Sequence, residues 1–390
     1  MEGIEDDRSP AGVGRVTTPP PGQWPPPRPP SEPTKGDPRG GLWGPQSSDQ
    51  QQASSRSIGG GKWALGGLAV LVIVVVTVVA TILVLKPDSD SSNPPIASTP
   101  QSATVDTSDI ASANDRSPAG IILDDPTCQS WTPIAAAFGH ASSGGWDTRD
   151  PAIPATNWTP EQRMQYEAVE VALRDAADRT VELARQTPHR VMREIYEQFI
   201  AYSREYVSRI DSYTERADIF ARVAVSTSEA LSGICGAITY GAAGARAPLV
   251  PPAGPPISVA SPADPGSAEV FLSEANPVCP EWLKVVNKFL ADTEAWRSID
   301  PNTPATELTQ EERAINASVM PIMEAFATET QLLGNRSDNA VWADYATLSA
   351  QYRRAYVSAL STYTVADDYL QLAAGSVAGA ISSACEAVGT

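Results

Sequence analysis

Histidine and lysine are almost missing from this chain, which has two histidines, His140 and His189, and five lysines against 23 arginines in 390 residues. Neither histidine sits in a carboxylate or histidine spacing that would suit a zinc centre or a general base. Cysteine is scarce as well, at four, and with no Cys-x-x-Cys a thiol redox centre is disfavoured. No glycine-rich phosphate loop follows a strand, and no carboxylate pair stands out as catalytic. These gaps predict a protein that is not an enzyme and needs no cofactor and no metal. Positive charge is also in deficit, with 28 basic against 46 acidic residues and a net charge of −18. Residues 1–85 carry seven of each sign, so the whole imbalance lies in residues 86–390, with 21 basic and 39 acidic. Such a surface repels phosphate backbones, and nucleic acid is not an expected partner.

What is present is a long internal duplication. Residues 150–235 return as residues 300–385 with no insertion: Asp150-Pro151-x-x-Pro154-Ala155-Thr156 reappears as Asp300-Pro301-x-x-Pro304-Ala305-Thr306, and the matches continue at Tyr202, Arg204, Tyr206, Tyr213 and Asp218. Cys128-x-x-Trp131 and Cys279-x-x-Trp282 open the two copies, and Cys235 and Cys385 close them.

Within each copy the signals are helical. Thr159-Pro160-Glu161-Gln162 and Thr309-Gln310-Glu311-Glu312 are capping boxes that start a helix. Apolar residues then recur at helical spacing until Thr187-Pro188, or Gly334-Asn335, breaks the run. A further helix is predicted over about 189–212 and about 339–362, another starts near Thr214 and Thr364, and a short one follows each opening cysteine. Four helices per copy imply an all-α fold of two tandem up-down bundles. That topology sets the end of the last helix beside the start of the first, so duplication and geometry pair Cys128 with Cys235 and Cys279 with Cys385. Closing loops of this length is worth ~4–5 kcal/mol each on the chain-entropy account.

Around the copies the composition shifts. Residues 1–61 are a proline-rich tail, centred on Pro19 to Pro30, that should sample polyproline II and stay disordered. It could dock a cytoplasmic partner or be phosphorylated near Thr17-Thr18-Pro19. Residues 63–85 read as a transmembrane helix, because Ala64 to Leu85 is 22 residues without a charge, long enough for a hydrocarbon core of ~30 Å. Arg56 and Lys62 before the span, and Asp88 and Asp90 after it, place the N-terminus in the cytoplasm. All four cysteines follow the span, which fits an oxidising, extracytoplasmic setting for the larger part. Residues 86–125 are expected to be a flexible stalk, 126–237 the first helical repeat, 238–275 a Pro/Ala/Gly-rich linker, and 276–390 the second repeat.

Two features are candidates for contact with a partner. One is the loop from Trp146 to Arg163 and its copy from Trp296 to Arg313, longer than helix connections need, with Asp150, Thr156, Asp300 and Thr306 at its core; the plainer reading of it is a loop laid along the bundle flank with its Trp in the core. The other is a tyrosine stripe, Tyr202, Tyr206 and Tyr213, matched by Tyr352, Tyr356 and Tyr363, which shares one helix face; such a stripe can grip a glycan or peptide, and is more often a half-buried core seam. Arg204 is expected to pair with Glu161 or Asp218.

In layout and in its arginine, alanine, glycine and proline content the chain resembles uncharacterised single-pass cell-envelope membrane proteins of actinobacteria. The expected function is that of a plasma-membrane protein whose duplicated outer modules bind an envelope protein or glycan, the pair raising apparent affinity through effective concentration. Two alternatives are a cell-wall-acting enzyme using Asp150 and Asp300, and a passive envelope scaffold or spacer.

Overall fold

The computed structural model describes residues 109–389. The proline-rich tail, the apolar stretch at 63–85 and the stalk up to residue 108 lie outside the described residues. No helix among the described residues is long and apolar enough to cross a membrane.

The described residues hold ten α-helices, several short 3-10 turns and no strand. In the first repeat these are α1 (Cys128–Ser142), α2 (Pro160–Gln186), α3 (Arg190–Val207) and α4 (Glu215–Thr239). After α5 (Ala242–Arg246), the second repeat adds α6 (Cys279–Asp292), the short α7 (Glu294–Arg297), α8 (Gln310–Arg336), α9 (Ala340–Ala359) and α10 (Asp368–Val388). Both capping boxes form: Thr159 accepts from the Gln162 N–H and Thr309 from the Glu312 N–H, while each N3 side chain reaches back to its cap. Successive long helices in each repeat pack side by side, and the last returns to the first. Disulfides join Cys128 to Cys235 and Cys279 to Cys385.

One helical turn after each opening cysteine, a tryptophan enters the core from the same face. Trp131 meets Tyr196 and Phe199 edge-on at centroid distances of 5.7 and 5.2 Å, and Trp282 meets Trp342 at 5.7 Å. Gly334, expected to end the long helix of the second repeat, lies inside α8 instead. A side chain there would stand 2.4 Å from the Ala346 methyl, so the glycine lets α8 and α9 close on each other.

The two repeats are not beads on a string. Their most extensive mutual contact is α4 against α10, which run antiparallel: Arg216 donates to the Ala387 carbonyl, Arg222 pairs with Glu386, Ser376 donates to Glu229, and Gly233 and Gly236 lie against Ala373 and Tyr369. The Glu229–Ser376 contact has its counterpart 150 residues along in Gly379 and Ser226, which also face each other. Each repeat therefore offers the same patch to the other, as the subunits of a two-fold dimer do.

The described parts of the segments expected to be flexible, residues 109–125 of the stalk and the linker 238–275, pack on this body. Within the stalk, Ile110, Ala119 and Ile122 are buried, Asp115 accepts from the Arg190 N–H at 2.8 Å, and the Ile122 N–H donates to the Tyr352 hydroxyl of the other repeat. Within the linker, Arg246 pairs with Asp367 at 2.9 Å, Asp264 with Arg185 at 2.7 Å, and Phe271 enters between Tyr202 and Tyr345. The physical reason is the same in both: a few apolar residues among the prolines and serines are enough to seat an extended chain on a helical surface that already exists.

Candidate functional site

The loop ahead of α2 is built on aromatic and carboxylate anchors. Trp146 is buried, its indole N–H donating to the Tyr206 hydroxyl at 2.8 Å. Arg149 lies flat over the Trp146 ring, 3.5 Å from its centre, and two of its nitrogens reach Asp218 at 2.8 and 2.5 Å. Asp218 is in the first turn of α4, where the helix N-terminus favours a negative charge. The Tyr213 hydroxyl donates toward the Pro151 carbonyl, and the Tyr213 carbonyl accepts from the Ala155 N–H, so the Asp-Pro turn is held at both ends. Trp158 stacks on Tyr166 at 3.8 Å. Burial pushes the Tyr166, Tyr206 and Tyr213 hydroxyls above their ordinary value, so these phenols stay neutral donors or acceptors.

An open cleft of about 400 Å³ lies in front of this wall, lined by Thr148, Arg149, Asp150, Trp158, Glu161 and Gln165 among others. Asp150 is exposed and turns back to accept from the Ala152 N–H at 3.0 Å.

The second repeat keeps the anchors and changes the filling. Trp296 packs against Tyr356 at 5.8 Å, the Tyr363 hydroxyl donates to the Pro301 carbonyl at 2.6 Å, and the Ala305 N–H donates to the Tyr363 carbonyl. Asp368 occupies the place of Asp218. Three other positions differ: Ile299 stands for Arg149, Leu308 for Trp158 and Asn316 for Tyr166. The result is a smaller void of about 30 Å³, bounded by Trp296, Ile299, Leu308, Asn316, Tyr363 and Asp368 among others. Burial raises the Asp368 carboxyl to about 6.

The residues singled out from sequence divide in two. Asp150, Thr156, Asp300 and Thr306 are exposed on the loops. Trp146, Tyr202, Tyr206, Trp296, Tyr352 and Tyr356 are all buried, so the tyrosine stripe faces the interior and offers nothing to a glycan or peptide. Tyr202 lies between Phe220 and Phe271, and the Tyr352 hydroxyl accepts from Ile122. Arg204 pairs with neither Glu161 nor Asp218. It reaches Asp178 at 3.1 Å and the Gly266 carbonyl at 2.7 Å, because its helix face points to α2 and the linker. Arg149, Asp368 and Asn316 escaped notice, although a comparison of the two copies position by position marks where Arg149 and Ile299 diverge. His189 meets the Asp124 carbonyl at 2.9 Å, and among the described residues no group of three His, Cys, Asp or Glu is placed to hold a metal ion.

This duplicated body is what the model of a known family recognises. The family described as Mycobacterial ESX-1 associated protein matches residues 110–389, from the first buried isoleucine to the end of the last helix. The chain belongs to that family. It is also 43% identical over 378 residues to an uncharacterized protein of Mycolicibacterium smegmatis (strain MKD8), covering 96% of this chain and 97% of that relative. No solved structure matches. Membership ties the chain to a mycobacterial secretion system.

Proposed function

We propose that this protein is a non-enzymatic ESX-1-associated component, anchored in the plasma membrane by residues 63–85, whose duplicated helical body lies outside the membrane and contacts a secretion partner through its paired loops. The carrying observation is the family match across the whole folded body. Two disulfides support an oxidising compartment, and the uncharged stretch from Ala64 to Leu85 supports the anchor. Exposed Asp150, Thr156, Asp300 and Thr306 supply the accessible part of the contact, and the proline-rich tail would meet a cytoplasmic partner.

Deleting the gene in its mycobacterial host and quantifying the exported proteins tests the reading. Loss of ESX-1-dependent export is expected, with restoration by the wild-type chain and not by a variant carrying D150A, T156A, D300A and T306A. An unchanged set of exported proteins refutes it. Topology has its own test: with S143C in the chain, a membrane-impermeant maleimide should label intact cells, and protection of that thiol until lysis rejects the outward orientation.

A further inference from the structure

The first repeat shows how its carboxylate slot is filled from within. Arg149 enters between Trp146 and Asp218, stacking its guanidinium on the indole and donating twice to one carboxylate oxygen. In the second repeat the walls persist as Trp296 and Asp368, with Tyr363 and Pro301 holding the same turn, yet Ile299 is too short and too apolar to do what Arg149 does. The nearest cation along the loop, Arg297, also lines the void: one terminal nitrogen donates to the Leu290 carbonyl at 2.7 Å, while its buried Nε meets no acceptor, neither Asp368 nor Asn316.

A second observation points to a missing donor. The Asn316 side-chain oxygen is buried, 8% exposed as a residue, and has no hydrogen-bond partner while lining the same void. Two acceptors, Asp368 and Asn316, thus converge on space of about 30 Å³ beside an indole. On that measure one water needs only ~10–15 Å³. A buried acceptor left without a donor is costly, so a charged planar donor entering there gains more than it would at an open surface.

We infer that the Asp368 slot binds an arginine guanidinium delivered by a partner polypeptide, taking from outside the group that Arg149 supplies to the first repeat from inside. Asp368 takes the bidentate pair, Asn316 a further N–H, and Trp296 the flat face, the geometry for which arginine is better suited than lysine. The inference specifies the chemistry of the contact proposed above and rests on that reading only for the partner's identity. The binding experiment and the export experiment can therefore fail separately.

Calorimetric titration of the full-length chain with N-acetyl-arginine methylamide tests it, with the uncharged citrulline analogue and the lysine analogue as controls. Binding to the wild-type chain is expected to exceed that of either control by about ten-fold or more. The substitutions I299R and D368N should each abolish it, and I299R should also raise the melting temperature by filling the slot from within. R149I, in the other repeat, leaves the Asp368 slot intact and empties the matching slot beside Asp218, so a folded R149I chain should bind at least as much arginine analogue as the wild type, and R149I combined with D368N should keep only the site beside Asp218. Absence of binding to the wild-type chain, equal binding of citrulline or lysine, or full binding retained by a folded D368N chain would each overturn the proposal.

Discussion

The loop sites of the two repeats stand on the same anchors and differ in what occupies the middle. Trp146 and Trp296, Tyr213 and Tyr363, and the Asp-Pro turns make matching contacts, with the Tyr213 and Tyr363 carbonyls accepting at 3.0 and 2.9 Å. Arg149 closes one site with a near-buried ion pair, whereas Ile299 leaves the other with a carboxylate, an amide oxygen and a void. The lesson is that duplication preserved the scaffold and released the filling. Sequence retained between the copies reports on the loop's backbone, and sequence that diverges between them reports on what each loop encloses.

The largest expected effect probes whether the repeats share one fate. Replacing either cystine with a serine pair should cost ~4–5 kcal/mol, since the two staples span 107 and 106 residues. Because α4 and α10 pack along their length, both variants should melt in a single transition by calorimetry. Two resolved transitions would show that the repeats fold independently.

Next comes the contrast between the carboxylates. R149I removes the two-pronged partner of Asp218, whose side chain is only 9% exposed, leaving it Arg222 at 3.8 Å and the Tyr213 hydroxyl, and should cost about 2–3 kcal/mol in chemical denaturation. D368N removes a carboxylate with no ion pair and should leave stability unchanged or higher. Equal losses from the two substitutions would erase the distinction drawn here.

The pH dependence follows from the same asymmetry. Burial lifts Asp368 to about 6 and Glu229, in the α4/α10 seam, to about 7, both above their ordinary values of 3.8 and 4.5. With folded values raised, their contribution to stability is full below the unfolded values and is lost as pH rises through 6 to 7. The melting temperature should therefore fall between pH 5 and pH 7.5, and D368N or E229Q should flatten that fall. An unchanged slope in both variants would assign the pH response elsewhere. The smallest effect is a control for equivalence: T159A and T309A each remove one of two matched capping boxes and should cost ~1 kcal/mol alike.

Much of this architecture was legible because its signals are local or repeated. Capping boxes, cysteine positions and the 150-residue offset yield helices, staples and bundle order without any long-range information. The tyrosine stripe shows where that legibility stops: spacing proves that Tyr202, Tyr206 and Tyr213 share a face, but not whether the face looks inward. The α4/α10 seam was hidden for a different reason. Gly233, Gly236 and Ala373 carry no pattern that distinguishes a close helix crossing from an indifferent surface, and their role appears only when the partner backbone is within 3 Å of a missing side chain. Arg204 failed likewise, because its true partners lie on α2 and in a segment that composition marks as a spacer.

The antiparallel seam gives the molecule two poles. Arg222 ties Asp218 to Glu386, so the arginine-filled slot lies beside the last turn of α10, while Asp368 opens its first turn. Eighteen residues of helix separate them, ~27 Å of axis. An extended peptide needs about eight residues to cover that distance, so a single short segment cannot grasp both ends. Near-symmetric in its framework and unequal at its tips, the body carries a built-in direction: an arginine-filled slot facing a wide cleft at one end, an unfilled slot around a small void at the other.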